Sequence, residues 1–260
     1  MILYGAPARD KIKEDLITRI KKLQKRPVLA ILQVGDREDS NVYIKQKQKF
    51  GEEIGVGVIL KNLKTEEELI GEIEKLNQDE NVNGIIVQLP LPESFDTEKI
   101  MNLVSPKKDA DGLGTTSPVI PATARGVLAL LDYYKIEIKG KKVAVIGQSI
   151  LAGKPTSDEL EKRGAKVFRC DINTKNISEI TKKCDILVSA VGKVGLITKE
   201  FVNNKQVVVD VGISKVNGKL VGDVNFAQVE PLVAAITPVP GGIGPLTVAC
   251  LFQNLLDLCE

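Results

Sequence analysis

Short apolar runs separated by amphipathic stretches recur along nearly the whole chain, and this alternation limits the fold more than any other feature. Apolar runs bounded by turn residues read as buried strands, and the stretches between them read as helices packed on a sheet. Such a chain folds as α/β, with parallel sheets covered by helices. In the first part the expected strands are "PVLAILQVG", "GVILKNL" and "VNGIIVQLPLP". Between them lie a helix beginning at Ser40 and "TEEELIGEIEKLNQD", where Thr65 followed by Glu68 resembles a capping box. The pattern restarts after "VSPKKDADGLGTTSPVIPAT", a stretch rich in Gly, Pro, Ser, Thr and Asp that reads as a domain junction or a site-lining loop. Beyond a helix near "ARGVLALLDYY", strands are expected at "KKVAVIG", "AKVFRCD", "CDILVSAVG" and "QVVVDVG". A helix is expected at "TSDELEKRG", a hairpin turning at Asn217-Gly218, and a last helix at "LTVACLFQNLLDL". The length of 260 residues allows one or two domains; the restart of the pattern reads as two.

Within the first part, "SNVYIKQKQKFGEEIGV" places a lysine where the helical period calls for an apolar residue. At about 100° per residue, Tyr43, Lys47, Phe50 and Ile54 share one stripe, whereas Lys45 and Lys49 point to water. Two readings of Lys47 follow. An ammonium held against apolar neighbours loses its proton more readily than one in water, which suits acid–base work. Alternatively, its stem lies along the stripe and its charged tip reaches solvent past Phe50.

The residue counts narrow the chemistry. The chain has no histidine, which removes Ser-His-Asp and Cys-His catalysis, histidine general bases and histidine metal ligands. Proton transfer must then use Lys, Tyr, Asp, Glu, Cys or water. Cys170, Cys184, Cys250 and Cys259 lack Cys-x-x-Cys spacing, so neither a zinc knuckle nor a disulfide framework is expected, and no metal site is assigned. With 36 basic and 34 acidic residues, the net charge of +2 gives no electrostatic case for nucleic acid or a membrane surface as main partner. No run of about 18 apolar residues is present to span a bilayer. The start, "MILYGAPARDKIKEDL", lacks the basic-then-apolar order of a secretory signal, and a cytoplasmic location is expected.

"VAVIGQSILAGKP" has the order strand, glycine turn, helix start, in which helix N-terminal amides can bind a phosphate. Its glycines, Gly147 and Gly153, do not have Gly-x-Gly-x-x-Gly spacing, and such a turn also suits any α/β backbone. Asp171 ends the next strand, 24 positions after Gly147. An acid there accepts hydrogen bonds from the adenosine ribose of NAD and repels the extra phosphate of NADP; a turn or helix-capping Asp is the alternative.

The stretches "SNVYIKQKQKFGEEIGV", "GIIVQLPLP", "KKDADGLG", "GQSILAGKP", "VSAVGKVGLI", "VVVDVGIS", "GDVNF" and "ITPVPGGIGPLTVA" follow one another from about residue 35 to the end. In this the chain resembles the bifunctional methylenetetrahydrofolate dehydrogenase/methenyltetrahydrofolate cyclohydrolase family. The resemblance implies oxidation of methylene-tetrahydrofolate to the methenyl form with a nicotinamide dinucleotide, NADP by family habit, and hydrolysis of the methenyl form to formyl-tetrahydrofolate. It implies Lys47 as the central group of the hydrolytic step, Tyr43 against the aromatic part of the folate, and Gln88 hydrogen-bonded to Lys47. Asp111 would accept hydrogen bonds from the pterin, and Ser40 would support the helix. Pro240, Gly241 and Gly242 would lie near the substrate in a closing loop. Gly147, Gln148, Ser149, Asp171, Ile172 and Ile213 would hold the dinucleotide. A homodimer is also implied.

Each residue has a plainer role open to it. Gln88 can cap a strand, Tyr43 can be core, Ser40 can cap its helix, and Asp111 can form a turn; Asp109 is read as a turn former before Gly112. The fold is accordingly expected to comprise an N-terminal three-layer α/β catalytic domain and a Rossmann-like dinucleotide-binding domain. The first spans residues 1–118 and is completed by the C-terminal helix 245–260, the second spans 119–244, and the substrate is expected in the cleft between them.

Three departures from the family's pattern matter. Gly147-Gln148-Ser149 stands where Gly-Arg-Ser is usual, and Cys170-Asp171-Ile172 where Cys-His-Ser is usual. Both changes remove groups that favour a phosphate, which leans toward NAD or dual use, while Arg169 and Lys175 are near enough in sequence to restore phosphate binding. In "PATARG", Ala124 follows Thr123 where proline is usual. Tyr-x-x-x-Lys is also the pair of short-chain dehydrogenases, but there it follows the glycine turn, and here it precedes Gly147 in a different expected domain. A catalytically inactive or monofunctional folate- or dinucleotide-binding protein of the same fold is the other alternative, opposed by the retention of Tyr43, Lys47, Gln88 and Asp111.

Overall fold

The computed structural model describes residues 1–260 apart from the side chain of Asp39. In chain order the helices and strands are Gly5–Ile20 (α1), Val28–Val34 (β1), Glu38–Ile54 (α2), Gly57–Leu63 (β2), Glu66–Gln78 (α3), Gly84–Val87 (β3) and Thr97–Leu103 (α4). There follow Ala122–Tyr133 (α5), Lys142–Ile146 (β4), Gly153–Lys162 (α6), Lys166–Cys170 (β5), Ile177–Thr181 (α7), Ile186–Ser189 (β6) and Val207–Asp210 (β7). The chain ends with Ser214–Val216 (β8), Lys219–Val221 (β9), Phe226–Val229 (α8), Ala235–Ile236 (β10) and Ile243–Asp257 (α9). It divides into two compact units, one of Lys11–Ala122 with Val248–Glu260, the other of Met1–Asp10 with Thr123–Thr247.

The unit containing Lys11–Ala122 is built on a parallel sheet in the order β2-β1-β3. Side chains alternate along a strand, so β1 buries both of its faces. Leu29 and Ile31 pack with Leu16 of α1, Ile44, Phe50 and Ile54 of α2, and Phe252 of α9. Ala30, Leu32 and Val34 pack with Leu69 and Ile73 of α3 and Ile100 and Met101 of α4. Helices on both faces make three layers, the arrangement expected. Thr65 caps α3 by accepting from the Glu68 N–H at 3.2 Å. The return bond of the capping box lands one residue early, since the Lys64 N–H donates to Glu68 Oε2 at 2.7 Å.

The other unit carries five parallel strands in the order β10-β7-β6-β4-β5. Counted within the unit this is 2-1-3-4-5, a doubly wound order whose switch point lies between β4 and β6. Ala144, Ile146, Leu187 and Val208 form a core with Cys170, Ile197, Val224 and Ile236. Val143, Val145, Ile186 and Val188, alternating with them, are also buried. β8 and β9 pair antiparallel, and Asn217 (φ 50°) and Gly218 (φ 79°) supply the two left-handed residues of a tight hairpin turn, as their identities predicted.

Several element starts differ from the sequence expectation. α2 begins at Glu38, so Ser40 lies in its first turn, buried, and does not cap it; the N-cap position is Arg37, which makes no side-chain cap. α6 begins at Gly153 and α9 at Ile243, each earlier than expected, with Pro155 and Pro245 in the first turn. Proline costs little there, because the first N–H groups of a helix have no intrahelical acceptor. α1 has no counterpart in the sequence reading; Leu16 is buried in the first sheet's core, with Ile12, Ile17 and Ile20 packed against it. Met1–Asp10, expected with the first domain, belongs to the unit of β10. The Leu3 N–H donates to Ile236 O at 2.8 Å, and the Ile236 N–H to Met1 O at 3.0 Å. No helix among the described residues is long and apolar enough to cross a membrane.

Candidate functional site

Helix α2 presents Lys47 at the margin of its buried face. Ile44, Phe50 and Ile54 are buried, Tyr43 and Lys47 half-buried, and Lys45 and Lys49 exposed. The stripe is therefore the one its spacing predicted, and Lys47 does not extend into water as Lys45 and Lys49 do. Its Nζ donates to Gln88 Oε1 at 3.0 Å.

Gln88 follows β3 directly and is held at three points. Its backbone N–H donates to Leu32 O at 2.8 Å, continuing the sheet pairing with β1. Its Nε2 donates to Leu89 O at 2.8 Å. That bond fixes which way the amide faces: the nitrogen is taken by a carbonyl, so the oxygen is the atom offered to Lys47.

The loop carrying Asp111 is pinned beside the same strand. The Ile85 N–H donates to Lys108 O at 2.7 Å, and Ile85 and Asp109 form a parallel bridge. Asp109 is buried, and its carboxylate accepts from the Gly112 N–H at 3.0 Å and the Gly114 N–H at 2.8 Å. It shapes the turn, as read from the sequence. Asn254 of α9, buried among apolar residues, donates from Nδ2 to Ala110 O and Ile120 O, each at 2.9 Å, and so clamps the loop on either side of Asp111. The sequence reading missed Asn254. Its signal was an amide flanked by Gln253 and Leu255 within a largely apolar helix.

Burial pushes Lys47 below the ordinary lysine range, and the charge of Asp111 works against that shift. Burial likewise pushes Asp111 up, opposed by Lys47 and reinforced by Asp109. Each group thus favours the charged form of the other, while their surroundings favour the neutral forms. An amine in this state gives up its proton more readily than one in water, and the neighbouring carboxyl can accept or donate hydrogen bonds.

In the other unit, the sequence-predicted dinucleotide residues gather at the carboxyl ends of parallel strands. Gly147, after β4, has φ 88°, and a Cβ there would come within 2.3 Å of Ala190 O. A Cβ on Gly153 would lie 1.7 Å from Gly147 O. The two glycines let the turn fold tightly onto the start of α6, leaving a cradle that side chains would fill. The Gly147 N–H donates to Cys170 O at 2.9 Å, which holds the turn beside the end of β5 and Asp171. Ser149 is exposed on the turn, and its carbonyl accepts from the Lys154 N–H at 3.1 Å. Thr156, in the same stretch of α6, has a buried hydroxyl without a hydrogen-bond partner. These features fit a bound dinucleotide. Ile172 is 97% exposed, and Ile213 lies in the loop after β7.

Pro240, Gly241 and Gly242 follow β10 in this same unit. Gly241 (φ 106°) accepts from the Gly5 N–H at 2.8 Å, and a Cβ on Gly5 would lie 1.9 Å from Gly242 O. The residues expected at the substrate therefore fall into two sets: Ser40, Tyr43, Lys47, Gln88 and Asp111 in one unit, Pro240–Gly242 in the other.

Comparison with known proteins matches both units. Residues 3–111 match the model of the tetrahydrofolate dehydrogenase/cyclohydrolase catalytic domain. Residues 121–260 match the NAD(P)-binding domain of the same family. The chain is 43% identical to bifunctional protein FolD 2 of Lactobacillus johnsonii, over 99% of this chain and 96% of that protein. The crystal structure of the bifunctional FolD methylenetetrahydrofolate dehydrogenase/cyclohydrolase of Campylobacter jejuni superposes with a TM-score of 0.95 at 37% identity, covering 99% of this chain and 98% of that one. That of the Trypanosoma brucei enzyme, complexed with NADP cofactor and an inhibitor, gives 0.93 at 34% identity, over 99% and 96%. With the family's two domain models matching residues 3–111 and 121–260, and a relative 43% identical over 99% of the chain, the chain belongs to the tetrahydrofolate dehydrogenase/cyclohydrolase family.

Proposed function

We propose that this chain oxidises methylene-tetrahydrofolate to methenyl-tetrahydrofolate with NAD(P)+ and hydrolyses the methenyl form to formyl-tetrahydrofolate, with Lys47 as the central group of the hydrolytic step. The 3.0 Å bond from Lys47 Nζ to Gln88 Oε1, beside Asp111, is the observation that carries the reading. In the first reaction the nicotinamide supplies the chemistry, taking a hydride from the methylene bridge. The chain's own residues bind and orient: Tyr43 lies against the aromatic part of the folate, and Asp111 accepts hydrogen bonds from the pterin.

In the second reaction water adds to the bridging carbon of the methenyl cation, one carbon–nitrogen bond breaks, and a proton is lost. Neutral Lys47 donates an N–H to Gln88 Oε1, which leaves its lone pair for the proton of the attacking water. Charged Lys47 steadies the negative charge that develops on that oxygen. Gln88 is a positioning residue in both cases. Ser40 supports α2, and Gly147, Gln148, Ser149, Asp171, Ile172 and Ile213 hold the dinucleotide, with Pro240–Gly242 near the substrate. The family's homodimer and its use of a nicotinamide dinucleotide belong to the same reading.

Lys47→Met tests it. Hydrolysis of methenyl-tetrahydrofolate, followed by loss of its absorbance, is expected to fall by about 10²–10⁴-fold, the usual worth of a proton-transfer group. The fold is expected to persist, with an unchanged or higher melting temperature, because a poorly solvated amine is replaced by an apolar side chain. Hydrolysis at the wild-type rate would remove Lys47 from the mechanism.

A further inference from the structure

The carboxyl end of β5 carries negative charge beside the glycine turn, and the arginine nearest to it is already paired. Asp171 is exposed. Its Oδ1 accepts from the Asn173 N–H at 2.9 Å and the Thr174 hydroxyl at 3.0 Å, while its Oδ2 has no donor among the described residues. The carboxylate is thereby held in one orientation, next to a turn that the Gly147–Cys170 bond fastens to the strand end.

Arg169 does not offset this charge. Its guanidinium lies 2.7 Å from Asp158 and 2.7 Å from Glu161, both on α6, so it is turned to that helix and doubly paired. Gln148, on the turn itself, folds back as well: its Nε2 donates to Val145 O at 3.1 Å and lies 3.5 Å from the Ser157 hydroxyl. Lys175 is exposed and forms no ion pair among the described residues. Asp158 and Glu161 thus occupy Arg169, and the Asp171 carboxylate is left without a cationic partner among the described residues. A dianionic 2′-phosphate would meet that carboxylate and an amide already engaged elsewhere, whereas a ribose 2′-hydroxyl would meet an oriented acceptor.

We infer that this unit selects NAD over NADP, with Asp171 as the specificity-determining residue; the inference rests on the dinucleotide reading of the unit. Repulsion between like charges a few ångströms apart near a surface corresponds to roughly tenfold or more in affinity. The test is a fluorescence titration of the whole chain with NADH and with NADPH, read from the nicotinamide in the absence of folate. NADH is expected to bind roughly tenfold or more tightly than NADPH. Asp171→Asn is expected to close most of that gap by tightening NADPH, and Gln148→Arg with Asp171→His to reverse it. Asp158→Asn with Glu161→Gln, which touches only the anchors of Arg169, is expected to tighten NADPH in part. NADPH bound as well as NADH by the unaltered chain, or a ratio that Asp171→Asn leaves unmoved, overturns the inference. Binding of neither overturns the dinucleotide reading and this inference together. Binding of NADH without oxidation of methylene-tetrahydrofolate overturns the proposed reaction and leaves the inference standing.

Discussion

At Lys47 two opposing electrostatic effects meet: burial lowers the affinity of the amine for its proton, and Asp111 raises it. The neutral amide of Gln88 leaves that balance intact, because it accepts a hydrogen bond without adding charge. Gln88→Glu would place a carboxylate where Oε1 now lies, 3.0 Å from Nζ. An opposite charge at that range favours the ammonium and raises such a pKa by about 1–3 units. If Lys47 serves as the base, hydrolysis increases with pH as the ammonium loses its proton, below the ordinary lysine value of 10.5. In Gln88→Glu this limb is expected to move to higher pH by about the same 1–3 units. A limb that stays in place in the pH–kcat profile would sink the positioning role of Gln88. Only half of this site was legible residue by residue. The helical period put Lys47 on the apolar stripe, but its bond to Gln88, 41 positions away, exists only because β3 brings that amide there.

Among the elements, the ends of β6 and β7 and the base of the β8–β9 hairpin are joined by two buried aspartates. Asp223 Oδ2 accepts from the Ser189 hydroxyl and the Val191 N–H, and its Oδ1 from the Lys193 N–H, each at 2.8 Å. Asp210 accepts from the N–H groups of Gly212, Asp223 and Val224. A Cβ on Gly212 would lie 2.1 Å from Asp223 Oδ1, and one on Gly222 2.0 Å from Asp210 Oδ2, which explains glycine at both positions. The stretches "VVVDVGIS" and "GDVNF" are thus the two halves of one clasp. Burial pushes Asp210 up to about 7, against the three backbone N–H groups and with the help of the Asp223 charge. A carboxyl whose folded pKa lies above its ordinary 3.8 keeps its proton longer folded than unfolded. Its contribution to stability is therefore full below about pH 4 and declines as pH rises toward 7. Asp210→Asn cannot titrate. The difference in melting temperature between the native chain and this variant is expected to shrink steadily from pH 4 to pH 7 and to level off above it. A constant difference across that range would show that Asp210 does not titrate there.

For the molecule as a whole, the division into units falls inside helices: α1 after Asp10, α5 after Ala122 and α9 after Thr247. Neither unit is a continuous stretch of chain. The N-terminal residues illustrate the consequence, since they lie far in sequence from the sheet they complete. Leu3 is fully buried, Met1 and Leu3 exchange backbone hydrogen bonds with Ile236, and the Met1 amine donates to Ala234 O at 2.8 Å. Deleting residues 1–3 is expected to destabilise the unit of β10 by about 2–5 kcal/mol, the cost of a large buried side chain and its hydrogen bonds. Hydrogen exchange at the Ile236 amide is expected to accelerate accordingly; unchanged protection there would contradict the assignment of these residues to that sheet.

The sequence by itself determined the α/β class, the main strands, the hairpin turn and the stripe that carries Lys47, because periodicity and turn chemistry act over a few neighbouring residues. It also carried enough motif in order to point to the family. Tertiary structure decided the rest: that α6 and α9 begin within glycine–proline stretches, that Ser40 is buried and not a cap, and that Met1–Asp10 serve the second sheet. It also decided that Arg169 is bound to α6 and unavailable to a phosphate, and that Asn254 holds the Asp111 loop. Each of these depends on partners distant along the chain or on which of several charged neighbours a side chain meets, and spacing along a sequence does not encode that choice.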